Sequence, residues 1–361
     1  MPRYRRMLAA PLGALLAPAL LVAAGAFAAP TAAAQPSDAA GATVVKDPSC
    51  LIAPGSGPLC ADPDTLLDVR IGDVRATQPS LGYDEVYYKL GRYSPEFSKD
   101  EINKKFDDWC EANGQQEAAS VEPDATLLDS SSFTCTVPIG EETPDTIEPM
   151  KTVVIGPGGT LYLTDGHHTL TSFAEDLQGG LDTHVRLRVI GNLSGLPEPI
   201  FWQVMQDNKW VWLRDPSGNA VAPQDLPKGV GLSNFQDDPY RSLLYFARDI
   251  GYSADGAVPF QEFYWGTWVR ENYAADVNAW DQNDWAASLA LVQKISEAQV
   301  ALDPSAVVDP VSGYTAAQLS KFDAWNDGEP ADGGEWASLS APYSSSKPGK
   351  LAYMTAYRSA R

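Results

Sequence analysis

The chain has 361 residues and 44% apolar content, enough for one large core or two ordinary ones, which excludes global disorder. It carries 26 basic residues against 47 acidic ones, a net charge of −21. That balance argues against general nucleic-acid binding, whose affinity comes mostly from Lys and Arg on phosphates, and favours a soluble protein repelled by anionic surfaces.

Arg3, Arg5 and Arg6 precede an acid-free run rich in Leu, Val and Ala from Met7 to Ala29, and small residues close it at Ala32-Ala33-Ala34. This is the order of a cleavable secretory signal, so residues 1–34 are expected to be removed and the protein secreted. Ala26-Phe27-Ala28 offers a slightly earlier cleavage site. A retained anchor is the competing reading, but Pro11, Gly13, Pro18 and Gly25 interrupt the run and no stop-transfer flank follows. No membrane insertion is therefore expected after cleavage. The leader holds three arginines and no acid, so its loss leaves 23 basic residues against 47 acidic ones, net −24.

Residues 35–65 are rich in Pro, Ala, Gly and Asp and read as a linker. Four cysteines, Cys50, Cys60, Cys110 and Cys135, fall in the first 40% of the chain with no CxxC pair. An even count in an exported chain reads as two disulfides. Of the three connectivities, pairing of local neighbours favours Cys50 with Cys60 and Cys110 with Cys135. A zinc site is the alternative, but the spacings are wide and lack a nearby His.

Order is expected from Leu66, where Leu66 to Ile71 reads as a strand, and Tyr83 to Leu90 starts a short helix. Phe97, Ile102, Phe106 and Trp109 stand at near-helical spacing. Thr152 to Ile155 and Thr160 to Thr164 form a hairpin around Gly156-Pro157-Gly158-Gly159. A helix follows, with Leu170, Phe173, Ala174 and Leu177 on its apolar stripe and Gly179-Gly180 at its end. His184 to Ile190 alternates, with Val185, Leu187 and Val189 on one face and His184, Arg186 and Arg188 on the other. Downstream come a hairpin at Trp210 to Leu213 turning at Asp215 to Asn219, and helices opened by Asp238-Pro239, near Pro259 and by Asp284. The fold class is α+β: a core over 66–200, a mainly helical, aromatic-rich extension over 201–335 packed on it, and a loosely ordered tail over 336–361. Asn192-Leu193-Ser194 fits the glycosylation sequon.

The chemistry concentrates at Asp165-Gly166-His167-His168, where a strand meets a helix N-terminus and two of the three histidines sit together. Free backbone amides and the positive dipole end suit this point to phosphate or carboxylate. Asp165 is the natural N-cap, and Gly166 allows close approach. On the helix wheel His167 lies over the buried stripe and His168 points to the polar side with Thr171, Ser172 and Glu175. His167, His168 and Asp165 are the candidate catalytic residues, as acid, base or metal ligand, with Asp165 and His167 the candidate ligands of a divalent metal. The bland alternative is a pair of capping histidines that bind nothing.

Val153 to Leu177, around Tyr162-Leu163-Thr164-Asp165-Gly166-His167-His168, resembles the signature of the ParB-like nuclease family, a branch of the ParB/sulfiredoxin superfamily. Thr77-Gln78-Pro79 and Gly82-Tyr83-Asp84-Glu85-Val86 are similar to its opening segment. Phe201-Trp202, Asp238-Pro239-Tyr240-Arg241-Ser242-Leu243, Glu262-Phe263-Tyr264-Trp265 and Val269-Arg270 are similar to its later blocks, so the resemblance spans roughly 66 to 275. It implies a small mixed sheet whose strand-turn-helix junction holds nucleotide phosphates, and a nuclease or phosphoesterase acting on a small phosphate-containing molecule or short nucleic acid. Strong duplex DNA binding is not expected of so acidic a chain. Where sulfiredoxin-like proteins carry Gly-Cys-His-Arg, this chain has Gly166-His167-His168-Thr169, so thiol and guanidinium are both absent and sulfinic acid repair by that route is excluded. Arg186, Arg188 or Arg241 could replace the guanidinium, with Gly166, Thr169 and Gln78 completing the phosphate site. Tyr83, Glu262 and His184 are reserve candidates, and Trp202, Trp210, Trp212, Trp265 and Trp268 serve a stacking pocket or, more simply, the core. The alternative function is a non-catalytic anion- or partner-binding module that keeps the fold.

Overall fold

A computed structural model describes residues 44–51, 57–255 and 258–361. The expected signal peptide and part of the expected linker lie outside the described residues.

The chain enters with β1 (Leu66–Arg70), β2 (Val74–Ala76) and the short β3 (Ser80–Leu81), which hands over to α1 (Tyr83–Tyr93). Helix α2 (Lys104–Ala112) precedes an antiparallel pair, β4 (Ala118–Val121) and β5 (Phe133–Cys135). A single turn α3 (Pro144–Ile147) leads to the hairpin of β6 (Thr152–Ile155) and β7 (Leu161–Leu163), then to α4 (His167–Glu175) and β8 (His184–Asn192). Helix α5 (Glu198–Asp207) and strand β9 (Gln236–Asp237) complete this half. The remainder is helical: α6 (Pro239–Ala247), α7 (Gln261–Asn278), α8 (Trp285–Val300), α9 (Gly334–Ser340) and α10 (Lys350–Ser359).

Five strands form a mixed sheet in the order β1-β8-β6-β7-β2, antiparallel at β1/β8 and β6/β7, parallel at β6/β8 and β2/β7. The α+β class expected from the sequence is therefore the one found. Both faces of the sheet are covered: Val153 packs with Leu170 and Phe173 of α4, while its neighbour Val154 points the other way onto Phe201 and Met205 of α5. A separate core of Leu244, Phe246, Trp265 and Ile295 fills the helical half.

Both disulfides join the local partners, Cys50 to Cys60 and Cys110 to Cys135. The segment around the first is fastened to the sheet rather than hanging free. Asn192 donates from Nδ2 to the carbonyls of Leu59 (2.9 Å) and Ala61 (2.8 Å), and Val45 N–H donates to Asn192 O (2.7 Å). The sequon asparagine is thus fully buried, with its amide already committed.

Three expectations are corrected. Helix α4 ends at Glu175, so Leu177 is 94% exposed instead of extending the apolar stripe. Of the near-helical segment at 96–112, only Lys104–Ala112 is helix, capped by the Asn103 side chain. The expected loose tail over 336–361 instead holds most of α9 and all of α10. Helix α10 lies against α1 so closely that a Cβ on Gly91 would meet Tyr353 O at 2.7 Å. Their contact includes a fully buried carboxylate: Arg358 pairs with Asp84 and donates to Gln282 Oε1 (2.9 Å), whose Nε2 donates to Asp84 Oδ2 (3.0 Å). Burial pushes the Asp84 carboxyl up to about 7, with Arg358 holding it down against that pull.

A group raised in the fold contributes stability at low pH that is lost as pH climbs through its folded value. Removing Arg358 takes away the one cation that makes charged Asp84 tolerable. Arg358→Ala should therefore destabilise the protein by about 3 kcal/mol near pH 7.5 and by clearly less near pH 5, where Asp84 takes up a proton. Urea midpoints of both proteins at the two pH values check this, and an equal loss at both would refute it.

Candidate active site

The β6-β7 hairpin carries the chain to Gly166, which adopts φ +96° and caps α4. A Cβ here would also meet Lys151 Cγ at 2.6 Å and Cβ at 2.8 Å, so both backbone and space require glycine. Asp165 is not the cap the sequence suggests: its side chain is 65% exposed, 3.7 Å from Lys151 Nζ, and no side chain caps the helix. The first intrahelical bond is Leu170 N–H to Gly166 O (2.9 Å), so the amides of His167, His168 and Thr169 are the free ones at the positive end.

Both histidines are buried, at 3% and 8% exposure. His167 Nε2 accepts from Thr77 N–H (3.1 Å), and His168 Nε2 accepts from Gly82 N–H (3.2 Å). Accepting at Nε2 leaves the proton of each neutral ring on Nδ1. Among the described residues neither Nδ1 has a protein hydrogen-bond partner. Burial pulls His167 down to about 4, with Asp165 opposing weakly, and burial followed by Arg241 holds His168 well below the usual histidine range. The helix wheel is right for His167. For His168 it is wrong, because the face that looks polar in α4 is covered by α1 and by the segment at Gly231-Leu232, whose N–H groups donate to Thr171 and Glu175, with Arg241 of α6 reaching in beside His168.

The cover at His168 is charged. Glu85 of α1, Arg241 of α6, Glu262 of α7 and Arg248 form a cluster against His168, whose Nε2 lies 3.6 Å from Glu85 Oε2. Arg241 Nη2 is 3.0 Å from Glu85 Oε2 and 3.8 Å from Glu262 Oε1, and Arg248 pairs with Glu262. Burial would raise the Glu262 carboxyl, but Arg241 and Arg248 together hold it down at about 2. The Arg241–Glu85 approach is close without being aligned, so Glu85 Oε2 and Arg241 Nη1 are both buried with no hydrogen-bond partner. Buried polar atoms without partners are uncommon in native cores and each calls for an explanation.

These residues line one cavity of about 410 Å³. It brings together Gln78, Asp165, Gly166, His167, His168, Thr169, Arg241 and Glu262 from the candidate set. Gln78 is also structural, donating from Nε2 to Ser80 O (2.8 Å). Arg186 and Arg188 are elsewhere: Arg186 pairs with Glu142 (2.5 Å) and with Asn113 O, and Arg188 stands 3.7 Å from Asp64. His184 is exposed beside Asp68 (3.0 Å), and Trp202 packs on Tyr162 (5.2 Å). The arginine fork expected on the strand is thus absent from the site, and Arg241 alone of the three stands there. Sequence reasoning missed Lys151, Lys209 and Arg248. Arg248 had a signal, lying seven residues, two helical turns, beyond Arg241; the two lysines had none. With Arg241 and Arg248 they give four cations against Asp165, Glu85 and Glu262, a net positive pocket in a strongly acidic chain.

The donor set does not fit a divalent metal. His167 spends Nε2 on Thr77, and among the described residues no three His, Cys, Asp or Glu side chains converge to hold an ion.

A group lowered in the fold contributes stability that is present above its unfolded value and lost as pH falls toward the folded one. For His167 the window runs from the ordinary histidine value of 6.5 down to about 4 and is worth about 3 kcal/mol. Asp84 and Asp238, raised to about 7 and about 6, work in the opposite direction. His167→Gln keeps an acceptor for Thr77 and removes the titration. Its stability should fall less steeply than the wild type's between about pH 6.5 and 4; parallel slopes in denaturant titrations would show that His167 is not buried as a neutral ring.

Residues 67–271 match the family described as "Putative ParB-like nuclease", and every residue lining the cavity lies inside that span. No curated protein matches the chain. Among solved structures it is similar to protein Atu1540 from Agrobacterium tumefaciens, at 22% identity and a TM-score of 0.42, covering 64% of this chain and 91% of that one. With more than half of its length matched, the chain belongs to the ParB-like nuclease family.

Proposed function

We propose that this protein is an exported phosphoester hydrolase that holds a small phosphate-containing substrate between the N-terminus of α4 and Arg241. The observation that carries the reading is the unpartnered Nη1 of Arg241, on a residue only 6% exposed, in a cavity also lined by the uncapped helix start. Phosphate oxygens take the free amides of His168 and Thr169, the Nδ1–H of the neutral histidines and the spare guanidinium edge. Lys151 and Lys209 add charge at the rim. The histidines act here as donors, since their Nε2 lone pairs are occupied.

Phosphoryl transfer through a loose transition state needs positioning and charge more than a strong base. Glu85 Oε2 is the acceptor available to orient an attacking water. The size of the cavity and the acidic charge of the chain favour a mononucleotide-sized ligand over duplex DNA. Two disulfides among the described residues fit an oxidising compartment, and with the expected leader they support export. A second reading, anion capture without turnover, is favoured by one observation: both carboxylates of the cluster already face arginines.

Calorimetry with inorganic phosphate, and hydrolysis assays with bis(p-nitrophenyl) phosphate and p-nitrophenyl phosphate, separate the readings. Arg241→Gln should weaken phosphate binding about 10- to 100-fold, as loss of a charge-assisted hydrogen bond does. Lys151→Ala, at the rim, should cost about two- to fivefold. Thermal melts of each variant identify unfolding. Wild-type protein that binds no phosphate overturns the site, while tight binding without turnover of either ester leaves the capture reading standing.

A further inference from the structure

The lining of the cavity is of two kinds. Beside the helix start and the ion cluster stand Trp210, Val258, Pro259, Phe260 and Phe263. Trp210 and Phe260 are both half-buried, so each keeps ring surface unspent on the core. Trp210 has no aromatic partner among the described residues, whereas Phe260 is backed by Trp212 (6.2 Å) and Phe263 (6.0 Å), themselves stacked at 5.1 Å and 27°.

Backbone strain sits at the same place. Eight non-glycine residues among those described have left-handed φ; six are Asp, Asn, Gln or Ser. The other two are Lys209 (φ +58°) and Phe260 (φ +62°), and both line this cavity. Asn and Asp tolerate this region through short polar side chains, but a phenylalanine there is an outlier of the kind that collects at ligand clamps. Lys209 closes the C-terminus of α5, a position usually given to glycine, and Trp210 follows immediately, its N–H bonded to Met205 O (2.8 Å). Phe260 is likewise the N-cap of α7, where a Ser or Asp would cap better. Two helix ends thus forgo their favoured residues, and both deliver an aromatic residue to the lining of the same cavity.

We infer that Trp210 and Phe260 are specificity-determining residues that stack on a planar ring carried by the phosphate, so that the ligand class is a ring-bearing phosphate monoester rather than free phosphate or an aliphatic ester. This rests on the phosphate reading of the polar lining. The rings are rigid and cost little ordering entropy on binding, and ring-on-ring stacking is selective for flat partners over saturated ones.

The test uses the mature protein, inorganic phosphate and two non-hydrolysable probes of nearly equal volume, phenylphosphonate and cyclohexylphosphonate, at a pH where all are dianionic. Phenylphosphonate should bind about tenfold more tightly than inorganic phosphate and about fivefold more tightly than the cyclohexyl probe, within the range one stacked ring contributes, and it should quench tryptophan emission. In Trp210→Ala and in Phe260→Leu the ratio of phenyl to cyclohexyl affinity should fall toward one. Equal affinity for the two probes in the wild type, or a ratio untouched in both variants, overturns the inference while phosphate binding stands. If the wild type binds no phosphate, the underlying site fails, and this inference with it.

Discussion

Everything about the site depends on one buried pair that is close but incomplete, Arg241 against Glu85. Taking two charges out of water costs several kcal/mol per ion, and their attraction offsets this only when geometry and hydrogen bonding are good. Here the 3.0 Å approach is misaligned and each partner keeps an idle atom. An apolar pair of the same volume would hold α1 to α6 at least as well. On the proposed reading the cluster serves by what it offers: a guanidinium edge held rigid in a low-dielectric wall, where an anion's attraction is large.

The rigidity comes from three directions. Helix α1 is clamped from outside by α10, with Asp84 gripped by Arg358 and Gln282 directly before Glu85 in sequence. Helix α6 is started by Asp238, whose Oδ1 accepts from Tyr240 N–H (3.0 Å) and Arg241 N–H (3.1 Å), fixing where Arg241 leaves the backbone. Around the sheet, Cys110–Cys135 ties α2 to the separate β4-β5 pair, and Asn192 of β8 holds the Cys50–Cys60 segment. Closing a 25-residue separation contributes about 3 kcal/mol, mostly by limiting the unfolded chain. None of the four cysteines lines the cavity, and the site itself is held by packing and ion pairs.

What could be read from the residues follows from how local each cause is. The β6-β7 hairpin, the alternation of β8, the Asp238 cap and the cysteine pairing are written in short windows, and the structure has them as expected. The orientation of His168 is not local. A helix wheel sorts residues by their own helix's polarity, but α4 is covered on its polar side by α1 and by the segment at Gly231-Leu232, and a polar face turned toward another polar face is buried as firmly as an apolar one. Arg186 and Arg188 misled for the same reason: the alternation correctly put them on one face of β8, yet that face meets Glu142, Asn113 and Asp64 instead of α4. The terminal helices escaped notice because Pro, Gly and Ser between them dilute the pattern, and tertiary contact with α1 supplies what propensity does not.

The residues at the helix start also have a physical reading: His167 stands where the resemblance places a thiol, and Thr169 where it places a guanidinium. A cysteine there would be a thiolate nucleophile, and an arginine would bring a full charge to the phosphate. Two histidines pinned at Nε2 bring neither. They offer neutral N–H dipoles, and because burial keeps both far from protonation, the offer does not change across the ordinary pH range. Charge must then come from elsewhere, and a buried source in the same cavity is Arg241, on a helix from the other half of the molecule. On the proposed reading the junction supplies direction and the extension supplies charge, so the anion site needs both α4 and α6.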